Sequence, residues 1–391
     1  MNKTFWNIWT SYATYYFGKV NLSIVIPALL VAHENLSVYS MGLVTSAFFF
    51  AYAIGQFLHG QISERYNPFN YIVAGLILSG VVNMILGFSA GYFIILVVLQ
   101  AFDGFFQSMG WSSCVRANSI IQSPDNRERS SIILGTSYQF GNSFAWLISA
   151  FAVGAWGWEA GFWVASIFLL TRGFLLLAAK PDITFKPAQK MKTQIRATLS
   201  VPILLGGLSL CFLNMVRYGV ITWIPLYLFI TGNYAVAEMG KVGLTIFLIP
   251  IAGILGTLTY NKIKTNNDLL TLVYLMALAA TFVIFPMTEG IFSTVVLLTG
   301  SFFLYGPHVF LVTTLPHRLV DKQVVAASTG FIDGMGYVGA TLIGIIVPFL
   351  LGPAENNWAH VFEFWAATTI LIAILVAFGY TKTKNIGKVE S

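Results

Sequence analysis

Charge is what this chain has least of. Lysine, arginine, aspartate and glutamate together make up 9% of its 391 residues, while 57% are hydrophobic. Soluble domains carry about 25% charged residues, so a soluble globular protein is excluded. Cysteine is nearly absent too: Cys114 and Cys211 both sit in apolar runs. Two such thiols build no disulfide framework and say nothing about compartment. The five histidines show no zinc-ligand spacing, and there is no glycine-rich phosphate loop and no nucleophile elbow. No metal, cofactor or catalytic group is therefore expected, and an enzyme is the weakest reading. A net charge of +6 would suggest nucleic acid in a soluble protein. Here the basic residues are distributed by topology, and no nucleic-acid partner is expected.

What is abundant is long apolar sequence. Twelve segments are long enough to cross a bilayer, which takes about 20 residues each. They run roughly over 6–30, 39–60, 69–88, 91–114, 131–154, 160–178, 201–230, 239–260, 269–287, 290–315, 325–351 and 360–380. The first starts at Phe5, contains a lysine and lacks a small-residue cleavage site, so it reads as a spanning helix rather than a signal peptide. The lipid bilayer is thus the first partner implied.

The connections alternate in charge. One alternate set holds sixteen of the 21 basic residues, among them Arg65, Arg127, Arg129, Lys262, Arg318 and Lys382; the other holds Lys241 alone. The positive-inside rule then puts both termini in the cytoplasm. A multi-pass protein of the plasma (inner) membrane is expected. The basic stretch 180–200 divides the chain into bundles at 1–179 and 201–391, and it can lie along anionic lipid headgroups.

Two charges fall where a membrane protein least tolerates them. Lys19 in span 1 and Arg217 in span 7 lie 198 positions apart, and each is followed eight residues later by a proline, Pro27 and Pro225. Spans 5 and 11 also match. A basic residue at the mouth is followed by glycines six apart, Gly135 and Gly141 in one and Gly330 and Gly336 in the other, at an offset of 195 that pairs Tyr138 with Asp333. Two similar offsets imply a parallel duplication of six helices. This gives an all-α integral membrane fold of twelve helices in two pseudo-symmetric bundles, the major facilitator arrangement, with the substrate site near midplane. Lys19 and Arg217 are then a paired anion clamp.

At these residues the chain resembles the organophosphate:phosphate antiporters, the family of the glycerol-3-phosphate and hexose-6-phosphate transporters. The likeness is sharpest at Tyr12–Leu29, Gly104–Arg116, Val216–Tyr227, Tyr305-Gly306-Pro307 and Gly330–Gly339. The resemblance implies that Lys19 and Arg217 bind the phosphoryl group, and that Tyr12, Tyr16, Trp111, Tyr305 and Tyr337 line the pore. It also places Gln56 where the glycerol-phosphate type has a lysine, and Tyr138 where it has a histidine. Lysine stands at 19 where the best-known bacterial members have arginine; a point charge reads phosphate geometry less strictly than a bidentate fork. Asp103 stands where relatives usually have a neutral residue. The site is therefore less positive than a glycerol-phosphate site.

Tyr12, Tyr15 and Tyr16 share a face with Lys19 at helical spacing. Asp333 lies within Gly330-x-x-x-Gly334 and is a candidate for substrate or proton binding. Asp103 is a second coupling candidate, unless it pairs with Arg116 or Arg172. His308, after Gly306-Pro307, is a candidate substrate contact. The expected function is secondary transport of an organic anion, foremost organophosphate/phosphate exchange by alternating access, in a monomer. The alternatives are a proton-coupled symporter of a carboxylate such as a sugar acid and, behind it, a transporter-like sensor.

Overall fold

Long apolar segments have nowhere to send backbone hydrogen bonds except into their own helices, and the computed structural model is helical accordingly. It describes residues 2–62, 66–89, 91–179, 201–263, 267–315 and 325–386. The linker 180–200 lies outside them, as do Arg65 and Arg318. The helices are α1 (Lys3–Ala32), α2 (Val38–Ile62), α3 (Pro68–Ser89), α4 (Phe93–Gln107), α5 (Met109–Ile121), α6 (Pro124–Trp156), α7 (Trp158–Ala178), α8 (Val201–Thr231), α9 (Met239–Lys262), α10 (Asn267–Ile284), α11 (Gly290–Val309), α12 (Val325–Leu351) and α13 (Trp358–Ile386).

Among the described residues, eleven spans, α4 and α5 forming one of them, are long and apolar enough to cross a membrane. The remaining helix, α6, is longer than the other described helices but more polar. The sequence-derived segments differ from the helices in two informative places. The fourth span breaks at Ser108 and continues to Ile121. The tenth ends in a π-helical turn, Phe310–Thr314, directly after Pro307 and His308.

The break at Ser108 follows from close packing. A Cβ on Gly104 would lie 2.1 Å from the Phe48 carbonyl oxygen, and one on Gly55 would lie 2.1 Å from Ser108 Oγ. Helices α2 and α4 thus meet backbone to backbone, which only glycine allows. Ser108 turns its hydroxyl back to the Phe105 carbonyl at 2.6 Å.

The chain gathers into two compact units, Met1–Gln189 with Ile221–Pro250, and Lys190–Val220 with Ile251–Ser391. In the first, α1 packs against α6 and α7, α3 against α7, and α2 against α4. Buried polar groups are tied off within it. Tyr15 donates to the Ile72 carbonyl at 2.8 Å, Ser166 to the Gly80 carbonyl at 2.7 Å, and Trp146 to Ser23 at 2.9 Å. In the second, α10 packs against α11 and α13, with Trp365 and Phe362 fully buried.

The duplication shows inside each unit as a matching contact. A Cβ on Gly141 would meet the Ala13 carbonyl oxygen at 2.2 Å, and one on Gly339 would meet the Cys211 carbonyl oxygen at 1.9 Å. Both members of the pair are displaced by 198 positions, the same offset as Lys19 and Arg217. Tyr16 and Tyr138, with ring centroids 6.0 Å apart, map onto Asn214 and Gly336, which also touch. The offset of 195 for spans 5 and 11 is therefore corrected to 198. The counterpart of Asp333 is Gly135, not Tyr138. A slip of three residues nearly preserves the helix face, so glycine spacing alone did not reveal it.

Candidate functional site

Lys19 lies mid-way along α1, eight residues before Pro27, and is 7% exposed. Its ammonium stands over two aromatic faces, Tyr52 of α2 at 4.0 Å from the ring centroid and Tyr16 at 5.4 Å. Aromatic faces attract a cation, more strongly the less water is present. They hold the charge in place without neutralising it, so an anion can still be attracted. The aromatic wall continues from there. Tyr12 packs on Trp111 of α5 with centroids 4.8 Å apart and on Tyr16 at 5.9 Å, and Tyr16 meets Tyr138 of α6. Four helices thus converge on one cation and its rings.

Tyr15, though on the same turn, faces away into the α3–α5 packing. Its ring is where a Cβ on Gly110 would go, and its hydroxyl is bonded to the Ile72 carbonyl. It is a packing residue. Gln56 is buried on α2, one turn beyond Tyr52.

The second unit repeats the motif with arginine. Arg217 is 3% exposed on α8, and its guanidinium carbon stands 4.8 Å from the Tyr218 ring and 5.4 Å from the Tyr305 ring of α11. Tyr305 is pinned by Gly253, whose added Cβ would lie 2.3 Å from the ring. Tyr218 and Tyr337 approach through their hydroxyls at 3.3 Å. His308 is half-buried with its ring 6.3 Å from that of Tyr305. Asp333 is half-buried on α12, one turn before Tyr337.

Asp103 is fully buried on α4, and its hydrogen bonds come from Ser79 and Asn83 of α3. The alternative of pairing with Arg116 or Arg172 is thereby corrected. Arg172 instead ties α7 to α1, donating to the Asn7 carbonyl at 2.6 Å and to Ser11 Oγ at 3.0 Å. The reason is positional: Ser79 and Asn83 stand four apart on one face of α3 and reach the carboxylate first.

Two residues escaped the sequence reading. Tyr52 hides in an aromatic-rich helix, and its spacing of four from Gln56 was the available signal. Tyr218 directly follows Arg217 and was quoted without a role.

The family model described as Major Facilitator Superfamily matches residues 8–344. The chain belongs to the major facilitator superfamily. Among curated relatives, a probable hexose phosphate transport protein of Chlamydia pneumoniae is 23% identical, with 91% of this chain and 85% of that protein aligned. The membrane sensor protein UhpC of Salmonella typhimurium is 26% identical over 95% and 88%. The glycerol-3-phosphate transporter of Bacillus subtilis is 23% identical over 99% and 93%. A solved bacterial homologue of the human lysosomal transporter Spinster superposes with a TM-score of 0.75 at 16% identity, covering 99% of this chain and 98% of that one. That likeness concerns the fold of this multi-span superfamily member.

Proposed function

We propose that this chain is a secondary active transporter that exchanges an organic phosphate for inorganic phosphate by alternating access. The observation that carries the reading is the duplicated aromatic-cradled cation, Lys19 over Tyr52 and Tyr16, and Arg217 beside Tyr218 and Tyr305. It is supported by the curated relatives, whose names include hexose phosphate and glycerol-3-phosphate transport.

In this proposal both cations serve one phosphoryl anion during the cycle. Arg217 supplies a bidentate fork for two phosphoryl oxygens, and Lys19 a point charge for the third. Tyr12, Tyr16, Tyr138, Trp111, Tyr305 and Tyr337 present hydroxyls and ring edges to the ester oxygens, with Gln56, His308 and Asp333 as further polar contacts. The bundles 1–179 and 201–391, joined by 180–200, are the moving parts. Without an anion the two positive charges oppose closure; with one they favour it. Exchange therefore outruns net flux of an empty carrier. Both termini lie in the cytoplasm, and the transporter works as a monomer.

The test is counterflow in proteoliposomes. Vesicles loaded with inorganic phosphate should take up labelled phosphate or glucose 6-phosphate at least about tenfold faster than unloaded vesicles. Uptake of a sugar acid under a pH gradient, with no phosphate exchange, would replace this reading with carboxylate symport. A second reading, a sensor, is favoured by one observation, the relationship to a membrane sensor protein. Binding of glucose 6-phosphate with no counterflow, together with co-purification of a membrane kinase, would establish it.

A further inference from the structure

Asp103 is a carboxyl group in the interior of a membrane-spanning bundle, bonded only to neutral donors. Ser79 Oγ donates to Oδ1, and Asn83 Nδ2 donates to Oδ2 at 2.9 Å. Behind these stand two further amides. Gln107 Nε2 donates to Ser79 Oγ at 2.8 Å, and Asn21 Nδ2 donates to Asn83 Oδ1 at 2.7 Å. All five side chains are buried. Every one of these bonds runs toward the carboxylate, so two short chains of donors end on one acid.

Among the described residues, the titratable groups of the surrounding helices are not bonded to Asp103. On α1, Lys19 stands over Tyr16 and Tyr52, and Tyr15 is bonded to the Ile72 carbonyl. On α2, His59 packs against Phe105 and Tyr71. On α5, Cys114 is a buried thiol and Arg116 is half-buried. On α7, Arg172 is held by Asn7 and Ser11. Among the described residues, no cation pairs with Asp103. A lone charge in so dry a place costs several kcal/mol even after relaxation, and it is ordinarily relieved by taking up a proton. A metal cation fits poorly, since the amide hydrogens of Asn83, Asn21 and Gln107 point into the cluster.

The cluster also touches the helix that carries the anion-binding cation. A Cβ on Gly18 would lie 2.5 Å from Gln107 Nε2 and 3.1 Å from Ser79 Oγ, and Asn21 belongs to the same helix. Lys19 is thus flanked, on α1, by two residues in direct contact with the network of Asp103. The Ser79 hydroxyl serves both states of the acid. It donates to the carboxylate; alternatively its proton turns to a carbonyl of the preceding turn while its oxygen accepts from the carboxylic acid.

Resting on the organophosphate reading above, we infer that Asp103 is a proton-binding site coupled to the anion site at Lys19, so that the anion travels with a proton. A proton from water adds to an Asp103 oxygen as the anion binds. The carboxylate becomes a carboxylic acid, and no other bond changes. The same proton returns to water after the anion leaves on the far side. With Asp103 ionised, its negative charge opposes the incoming anion; with Asp103 protonated, that opposition is gone. Proton and anion then strengthen each other's binding by the same factor, on the order of tenfold, as is typical of coupled sites.

Proteoliposomes of the full chain, loaded with inorganic phosphate, test this with labelled inorganic phosphate and glucose 6-phosphate as probes. Lowering the pH on both sides should speed exchange of either anion several-fold in the unaltered protein. In Asp103→Asn the rate should hold its low-pH value across the pH range. Ser79→Ala, which leaves the acid in place, should displace the pH midpoint of uptake by about one unit, since one donor to the charged form is lost. Exchange whose pH dependence is equal in the unaltered protein and in Asp103→Asn overturns the inference, as does phosphate exchange indifferent to pH in the unaltered protein. Failure of both anions to cross at all overturns the organophosphate reading and the inference with it.

Discussion

At the scale of single residues, the proposed anion site turns on the difference between lysine and arginine. Arg217 offers a planar fork beside Tyr218 and Tyr305, and a lysine there keeps the charge while losing the fork. Arg217→Lys should lower phosphate counterflow by about 10- to 100-fold, as expected for losing one charge-assisted hydrogen bond of about 1.5–3 kcal/mol, while membrane expression stays normal. Full counterflow in that variant would remove Arg217 from the site. Tyr52 gives a second residue-scale test. Its ring lies 4.0 Å from the Lys19 ammonium. Tyr52→Ala should weaken phosphate affinity about five- to tenfold through loss of a cation–π contact of about 1 kcal/mol or more, and Tyr52→Phe should restore it.

Legibility at this scale was uneven. The two cations were plain in the sequence because a charge in an apolar run has few structural uses. Tyr52 was not, because a tyrosine among Phe48, Phe49 and Phe50 looks like core. The partners of Asp103 were readable in part: Ser79 and Asn83 are spaced to share one face of α3. Choosing them over the two arginines required knowing that α3, not α5 or α7, presents that face to Asp103.

At the scale of the helix, glycine spacing and glycine function part company. Gly135 and Gly330 look like repeat partners by glycine spacing, yet a Cβ on either would meet nothing within 4 Å among the described residues. Gly141 and Gly339 press on backbone carbonyls. Gly141→Ala and Gly339→Ala should each destabilise the folded protein by about 1–3 kcal/mol through overpacking, read as a lower midpoint in a thermal scan in detergent. Gly135→Ala and Gly330→Ala should be neutral or stabilising by up to about 1 kcal/mol, because alanine is the better helix former. The reverse ordering would show that the closeness of α1 to α6 and of α8 to α12 is not needed. The break at Ser108 was illegible for a related reason. Nothing in Gln107-Ser108-Met109 stops a helix locally; the contacts with Gly55 and α2 do it from outside.

At the scale of the whole molecule, hydropathy and charge alternation carried most of the architecture. Segment 131–154 counts among the twelve by its apolar run, although α6 falls outside the eleven most apolar spans among the described residues; its polar Ser137, Gln139, Asn142, Ser143 and Ser149 are buried. The orientation makes a separate prediction. Both native thiols are buried, so a cysteine introduced at the surface is the reactive one. Lys241→Cys should react with a membrane-impermeant maleimide in intact cells, and Arg127→Cys only after the membrane is opened. Labelling in the opposite order would invert the topology.

The paired seams at Gly141 on Ala13 and at Gly339 on Cys211 have a practical use. Where carbonyl meets α-carbon there is no side chain to re-pack, so neither α1 and α6 nor α8 and α12 can slide past one another without breaking contact. Each pair behaves as a strut. Spin labels attached to the lipid-facing sides of α1 and α6 should therefore keep one separation in every state of the protein. They would serve as a fiducial mark against which the displacement of any other helix can be measured.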